Sequence, residues 1–202
     1  AEAHTLAFTM LRYGIMARAP ITVVTGEIGA GKTTLLRQLL REIPADLEVG
    51  LVSNMQPGRG ELLEWVLMAL GHPVEGEPYI KLFQRLQDLV IEAYAAGKRV
   101  VLIFDEAQNL GLDTLEELRM LSNINADKDE LLQIILVGQP QLRDMMGRPE
   151  LMQFRQRVSA DFHLGPLGRE DVDRYIQHRL TLAGAQWRIF PSRTCDLIHY
   201  AT

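Results

Sequence analysis

The sequence predicts a three-layer α/β sandwich on a mainly parallel five-stranded sheet, followed by the start of a small helical lid. Three observations predict it. Short apolar runs alternate with segments of helical periodicity up to Gly165, the pattern of βα units joined by right-handed crossovers. The run Arg99 to Phe104 is apolar without alternation, as in a strand covered by helices on both faces. A glycine-rich octapeptide, Gly26 to Thr33, stands between an apolar run and a helical pattern.

The elements follow in order. Ala1 to Arg18 begins in helical rhythm, with Leu6, Met10, Leu11 and Ile15 on one face. Ile21 to Thr25 is the first strand and Lys32 to Arg41 the helix after the glycine-rich turn. Glu48 to Ser53 is a second strand, closed by the turn cluster Asn54-Met55-Gln56-Pro57-Gly58. Helical patterns occupy Gly60 to Leu70 and Tyr79 to Ala96, separated by Gly71-His72-Pro73. Arg99 to Phe104 is the third strand, and Leu112 to Ala126 reads as a helix. Leu131 to Gly138 is the fourth strand, closed by Gln139-Pro140. Pro149 to Gln156 is a short helix and Val158 to Leu164 the fifth strand. Gly165-Pro166 marks a boundary, so the domains are expected as an α/β core over 1–165 and a lid beginning over 166–202. Arg169 to Ala183 and Ser192 onward are purely helical. Both ends read as cut, since the chain starts and stops inside helical patterns.

Composition narrows the function classes. With 202 residues and 47% apolar content the chain can bury a real core. A net charge of −5 argues against coating nucleic acid or anionic membrane by bulk charge. The single cysteine, Cys195, permits no internal disulfide and suits a reducing compartment. No secretory signal is visible and no apolar run approaches the ~20 residues that span a bilayer. The expected location is cytoplasmic.

The octapeptide Gly26-Glu27-Ile28-Gly29-Ala30-Gly31-Lys32-Thr33, continued by Thr34, is a complete phosphate-binding loop. Its glycines let successive N–H groups turn inward around a triphosphate, and the helix N-terminus adds partial positive charge. Lys32 reaches the outer phosphates, and the Thr33 hydroxyl coordinates Mg²⁺. Asp105 ends its strand where ligands of open α/β sheets bind, and is the second Mg²⁺ holder. Glu106, beside it, is placed to polarise the water attacking the γ-phosphate. Gln139 ends the strand expected next to that of the phosphate loop. Its amide either approaches the γ-phosphate and the attacking water or simply starts the turn before Pro140. Asn54 either hydrogen-bonds Glu106, withholding it from water until a partner binds, or is a turn residue. Arg155 and Arg157 lie between a helix and a strand, where a guanidinium can project to a neighbouring subunit or form a local salt bridge. Arg157 is the better finger because it directly precedes the apolar strand. The five histidines show no metal-ligand spacing. Arg143, Arg148, Arg155 and Arg157 form a candidate basic stripe for DNA, diluted by Asp144 and Glu150.

The order of these motifs, with an extra strand between loop and acids, resembles the AAA+ ATPases. Within them the chain resembles the general secretion pathway protein A type, also called ExeA-like. The match is carried by Leu102 to Leu110 (Leu-Ile-Phe-Asp-Glu-Ala-Gln-Asn-Leu), by Glu117 to Asn123, by Leu131 to Pro140 and by Arg155 to Val158. The same core is similar to that of the TniB and Mu B transposition ATPases. The resemblance implies a P-loop NTPase fold of AAA+ type, ATP and Mg²⁺ as cofactors, and ATP rather than GTP, since no Asn-Lys-x-Asp base-reading motif is present. It implies Gln139 as the first sensor. It further implies a homo-oligomer with sites completed between subunits and an inner-membrane or secretion-apparatus partner, or, on the transposition side, an ATP-dependent DNA-binding switch. The second sensor of the family falls beyond Thr202, and Gly168 replaces the usual helix-capping residue at the start of the lid.

Overall fold

The structure, a computed structural model, describes residues 2–55, 58, 60–126, 129–165, 168–185 and 187–201. It divides into two compact units, Glu2–Leu164 and the segment from Gly165 onward.

The first unit is a three-layer sandwich. Its central sheet contains β1 (Ile21–Gly26), β2 (Leu47–Ser53), β3 (Arg99–Asp105), β6 (Leu132–Gly138) and β7 (Val158–Leu164), in the order β2-β3-β6-β1-β7 with every pair parallel. The remaining strands, β4 (Asn125–Ala126) and β5 (Asp129–Glu130), form a separate antiparallel pair. The helices of this unit are α1 (Glu2–Met16), α2 (Lys32–Arg41), α3 (Leu62–Ala69), α4 (Tyr79–Ala95), α5 (Leu112–Leu121), α6 (Gln141–Met146) and α7 (Met152–Arg157).

Strand pleating distributes the core between two layers. On one face Ile21, Val23, Val100, Leu102, Phe104, Leu132, Ile134 and Leu136 pack with buried leucines of α3, α4 and α5. On the other, Val24, Val101, Ile103, Ile135 and Val137 pack with Leu11 and Ile15 of α1 and Leu35, Leu36 and Leu39 of α2. Each strand feeds both faces by its period of two, which is why β3 and β6 read as unbroken apolar runs. Burying each such side chain stabilises the fold by about 1.5–3 kcal/mol. The two packed faces together fix the ends of the central strands relative to one another.

Several expectations need correction. Among the described side chains of α1, Phe8, Leu11 and Ile15 are buried while Met10 is exposed, because packing selects the i, i+3, i+7 row; the expected Leu6 side chain lies outside the described ones. The helix expected to reach Ala126 stops at Leu121. Ser122 folds its hydroxyl back onto the Arg119 carbonyl (2.6 Å), and the chain turns into β4 and β5. Asp129 fixes that hairpin through Arg18 (2.6 Å) and the Tyr94 hydroxyl (2.6 Å). Helix α6 was not legible in the sequence: it has one and a half turns, and only Leu142 and Met146 of it are buried. The turn positions Gln56 and Pro57 and the boundary residue Pro166 lie outside the described residues.

The second unit contains α8 (Arg169–Leu182) and α9 (Ser192–Ala201). Within it, Arg188 bridges Asp173 (2.6 Å) and the Ser192 hydroxyl (2.7 Å), the Gln177 amide donates to the Phe190 carbonyl (3.2 Å), and Cys195 is buried. Among the described residues no helix is long and apolar enough to cross a membrane.

Candidate active site

Because the five strands are parallel, β1, β3 and β6 deliver their following residues to one edge of the sheet. Registers Thr25↔Gly138, Phe104↔Leu136 and Ser53↔Asp105 bring these ends level. The glycine-rich loop leaves β1, Asp105 and Glu106 leave β3, and Gln139 leaves β6.

The loop turns through two left-handed glycines, Gly29 (φ 83°) and Gly31 (φ 88°). This conformation is costly for any residue with a Cβ, and successive N–H groups in such turns form concavities that suit anions. Gly26 is required for a different reason: a Cβ there would meet Leu164 of the adjacent β7 at 2.9 Å. Gly31 then caps α2, whose first turn closes with the Leu35 N–H on the Gly31 carbonyl (2.9 Å). Lys32 is 7% exposed, and its ammonium donates to the carbonyls of Gly26 (2.6 Å) and Glu27 (2.9 Å), so the loop encircles a fixed positive charge. Ala30 is buried, whereas Glu27, Ile28, Thr33 and Thr34 are exposed.

Asp105 is half-buried. Burial raises its pKa above the ordinary carboxylate value and the neighbouring Glu106 charge adds to this, while the Glu106 N–H and the Lys32 ammonium pull it down. The bond from the Glu106 N–H to Asp105 Oδ1 is 2.9 Å. A partly desolvated carboxylate and an exposed threonine hydroxyl beside an anion-turning loop are hard oxygen donors. They fit Mg²⁺, which takes one or two protein carboxylates and fills its other positions with phosphate and water.

Glu106 occupies the left-handed region (φ 56°, ψ 40°), a conformation costing a non-glycine residue roughly 1–2 kcal/mol. Its Oε2 accepts from Gln108 Nε2 (2.5 Å) and from Gln139 Nε2 (3.3 Å). The predicted acid and the predicted sensor therefore meet directly, across strands far apart in sequence. Asn54 also lies at this edge and is left-handed (φ 59°), but it is exposed, and no bond to Glu106 joins it among the described residues. Gln108 fills that place.

A model described as AAA domain matches residues 15–146, which span all three of these strand ends. The chain belongs to the AAA domain family. It is 38% identical over 199 residues to general secretion pathway protein A of Aeromonas hydrophila, covering 98% of this chain and 36% of that protein. The chain thus spans about a third of its relative's length. Among solved structures it is similar to CDC6P from Pyrobaculum aerophilum (TM-score 0.74, 16% identity, covering 98% of this chain and 54% of that one). It is also similar to the ORC2 protein of Aeropyrum pernix in its ADP form (TM-score 0.68, 20% identity, covering 99% of this chain and 56% of that one). At these identities the likeness shows the fold alone: a three-layer sandwich of AAA+ type.

Beyond the matched region, Arg157 ends α7 with its guanidinium directed at the β4–β5 hairpin, pairing with Glu130 (3.5 Å) and donating to the Asn123 side chain. Its side chain remains 29% exposed, and Arg155 on the same helix is exposed. Of the stripe arginines, Arg143 is bound to Asp161 (3.0 Å), which removes part of its charge from any external anion. His163 contacts the buried Thr25 hydroxyl at 3.1 Å, a local bond at the β1–β7 pair rather than a metal site. The residue that sequence reasoning missed is Gln108. Its signal was its place two residues after Glu106, in the 3₁₀ turn Ala107–Asn109 that folds back on the carboxylate.

Proposed function

We propose that the chain is the Mg-ATP-hydrolysing core of an AAA+ ATPase that works as an assembly and energises or regulates construction of a bacterial secretion or export system. The observation that carries the catalytic part is the direct Glu106–Gln139 contact at the edge where the Lys32 loop emerges.

Residues 1–165 are the nucleotide-binding core and 166–202 the beginning of a lid. The loop from Gly26 to Thr34 wraps the triphosphate of ATP with its N–H groups, and Lys32 exchanges its loop carbonyls for outer phosphate oxygens. Thr33 and Asp105 would hold Mg²⁺, which supplies charge neutralisation on the phosphoryl oxygens. Glu106 takes up the proton of the attacking water, or orients that water for in-line attack. Gln139 holds the γ-phosphate against Glu106. Arg157, fixed by Glu130 at the domain's flank, serves the site of a neighbouring copy, where a guanidinium matches charge spread over the transferring oxygens. The secretion assignment and an inner-membrane or secretion-apparatus partner rest on the likeness to general secretion pathway protein A. DNA is a lesser partner in this reading, since Arg143 is engaged by Asp161 of the domain itself and the net charge is −5.

The test is Mg-ATP turnover per subunit across a wide range of protein concentration. A specific rate that climbs with concentration is expected, and Arg157→Ala should flatten it while leaving ATP affinity intact. Glu106→Gln should retain ATP binding and lose turnover, and Lys32→Ala should lose both. Undiminished turnover in the glutamine variant sinks the base assignment, and a concentration-independent wild-type rate sinks the shared site.

A further inference from the structure

The Gln108 side chain uses both ends of its amide. Nε2 donates to Glu106 Oε2 at 2.5 Å, while Oε1 accepts the backbone N–H of Gln139 at 2.9 Å. The Gln139 side chain closes the circuit by donating to the same Glu106 oxygen at 3.3 Å. A ring thus runs from Glu106 through Gln108 to the end of β6 and back through Gln139. Nothing in it is left to chance by the fold. Ala107, the residue between Glu106 and Gln108, is fully buried, which fixes the turn from below. Gly138 makes room for the amide: a Cβ there would stand 2.9 Å from Gln108 Oε1 and 3.2 Å from the Gln108 nitrogen.

We infer that Gln108 is a positioning residue that sets the Glu106 carboxylate and couples it to the strand end carrying Gln139. This deepens the proposed function and rests on its assignment of Glu106. The physical argument is geometric. Glu106 has three side-chain torsions, so an unheld carboxylate samples many rotamers, only a few of which face an attacking water. Two amide donors converge on Oε2, and among the described residues no hydrogen bond engages Oε1, which makes it the oxygen to take the water proton. Because one of those donors is anchored to the Gln139 backbone, any displacement of β6's end when Gln139 meets the γ-phosphate is passed to Glu106 through a single rigid amide. Hydrolysis is thereby tied to the phosphate sensor rather than to nucleotide occupancy alone. Asparagine at this position is one methylene too short to span both partners, and glutamate would set a second carboxylate against Glu106.

The experiment compares Gln108→Met, which keeps the volume and removes both polar ends, with Gln108→Glu, Gln139→Ala, the Gln108→Met/Gln139→Ala double variant and Glu106→Gln. Each is assayed for kcat, KM and affinity for a fluorescent ATP analogue. In Gln108→Met kcat is expected to fall by about tenfold or more with nucleotide affinity within about threefold, the pattern of a lost transition-state interaction. Gln108→Glu should fall further. The double variant should be no worse than the poorer single by more than about twofold, because the ring acts as a unit. Amide exchange at the Gln139 N–H should speed up in Gln108→Met, independently of turnover. A smaller loss of kcat, a matching loss of nucleotide affinity, additive single effects, or unchanged exchange at Gln139 would overturn the inference. Failure of the catalytic reading is separately visible, since only then does Glu106→Gln turn over like the wild type.

Discussion

Strands β2 and β3 lie side by side in register, Leu47↔Arg99 to Ser53↔Asp105, and each is followed by a residue in the left-handed region, Asn54 (φ 59°) and Glu106 (φ 56°). The same backbone turn is reached by two routes. Asparagine visits this conformation readily, because its short polar side chain bonds locally. Asn54 is exposed and needs little support. Glutamate has no such tolerance. Glu106 is held by its own N–H on Asp105 (2.9 Å), by its carbonyl accepting the Asn109 N–H (2.9 Å), and by the Gln108 and Gln139 amides. The difference teaches where the fold stores strain. It is kept at the strand end that carries Glu106, the proposed catalytic carboxylate, and compensated by contacts that also hold that side chain.

That contrast can be broken most forcefully at Glu106 itself. Glu106→Val loses the carboxylate and places a β-branched residue at positive φ. Turnover should drop by about 10³-fold and urea unfolding should show a loss of roughly 2–3 kcal/mol. Glu106→Asn, by contrast, should lose turnover to a similar extent without that loss of stability, and equal destabilisation in the two variants would mean the turn is not strained.

Gly138→Ala tests the support from the other side. The added methyl has Gln108 Oε1 at 2.9 Å and Leu142 at 3.1 Å, so unfolding should show a cost of about 1–3 kcal/mol, with turnover reduced. No glycine performs this service for Asn54 among the described residues. For Asn54→Ala, the left-handed alanine should cost about 1 kcal/mol, and turnover should stay within about threefold. A larger kinetic effect would restore Asn54 as a partner of Glu106.

Asp105 gives the contrast a pH dependence. Burial raises its folded-state pKa, so as pH rises the unfolded chain releases this proton before the folded one does. Its contribution to stability is therefore full below the ordinary Asp value and is lost as pH rises through the raised one. Asp105→Asn should melt above the wild type at pH 7 in metal-free buffer, the advantage fading below about pH 4, while turnover is lost. The smallest effect belongs to the opposite ends of the same strands. Lys98 and Glu48 pair at 2.9 Å with both side chains over 40% exposed, and Glu48→Ala should cost less than about 0.5 kcal/mol by urea unfolding.

The residues from Gly26 to Thr33 and the pair Asp105-Glu106 were legible because their chemistry is local. A glycine-rich turn between strand and helix, or acids after a buried strand, has the same meaning wherever it stands. The strands were legible for a similar reason, since burial on both faces leaves an unbroken apolar run. What followed Leu121 was not. The end of α5 depends on a serine bonding backwards, and on Asp129 reaching Arg18 and Tyr94 from distant parts of the chain. Arg157 was singled out from its position, but its bonds to Glu130 and Asn123 appear only once the hairpin is folded.

By itself, then, the sequence determined the strands of the sheet, the glycine-rich loop between strand and helix, and the acids at the end of β3. Each depends on spacing along the chain, which periodicity and local conformational preference record directly. Only the tertiary structure decided which amides hold Glu106. Gln108 comes from the same turn and Gln139 from a strand more than thirty residues away, and their meeting requires β3 and β6 to be neighbours and Gly138 to lack a side chain. Such contacts are set by strand order and close packing, which a linear pattern does not encode.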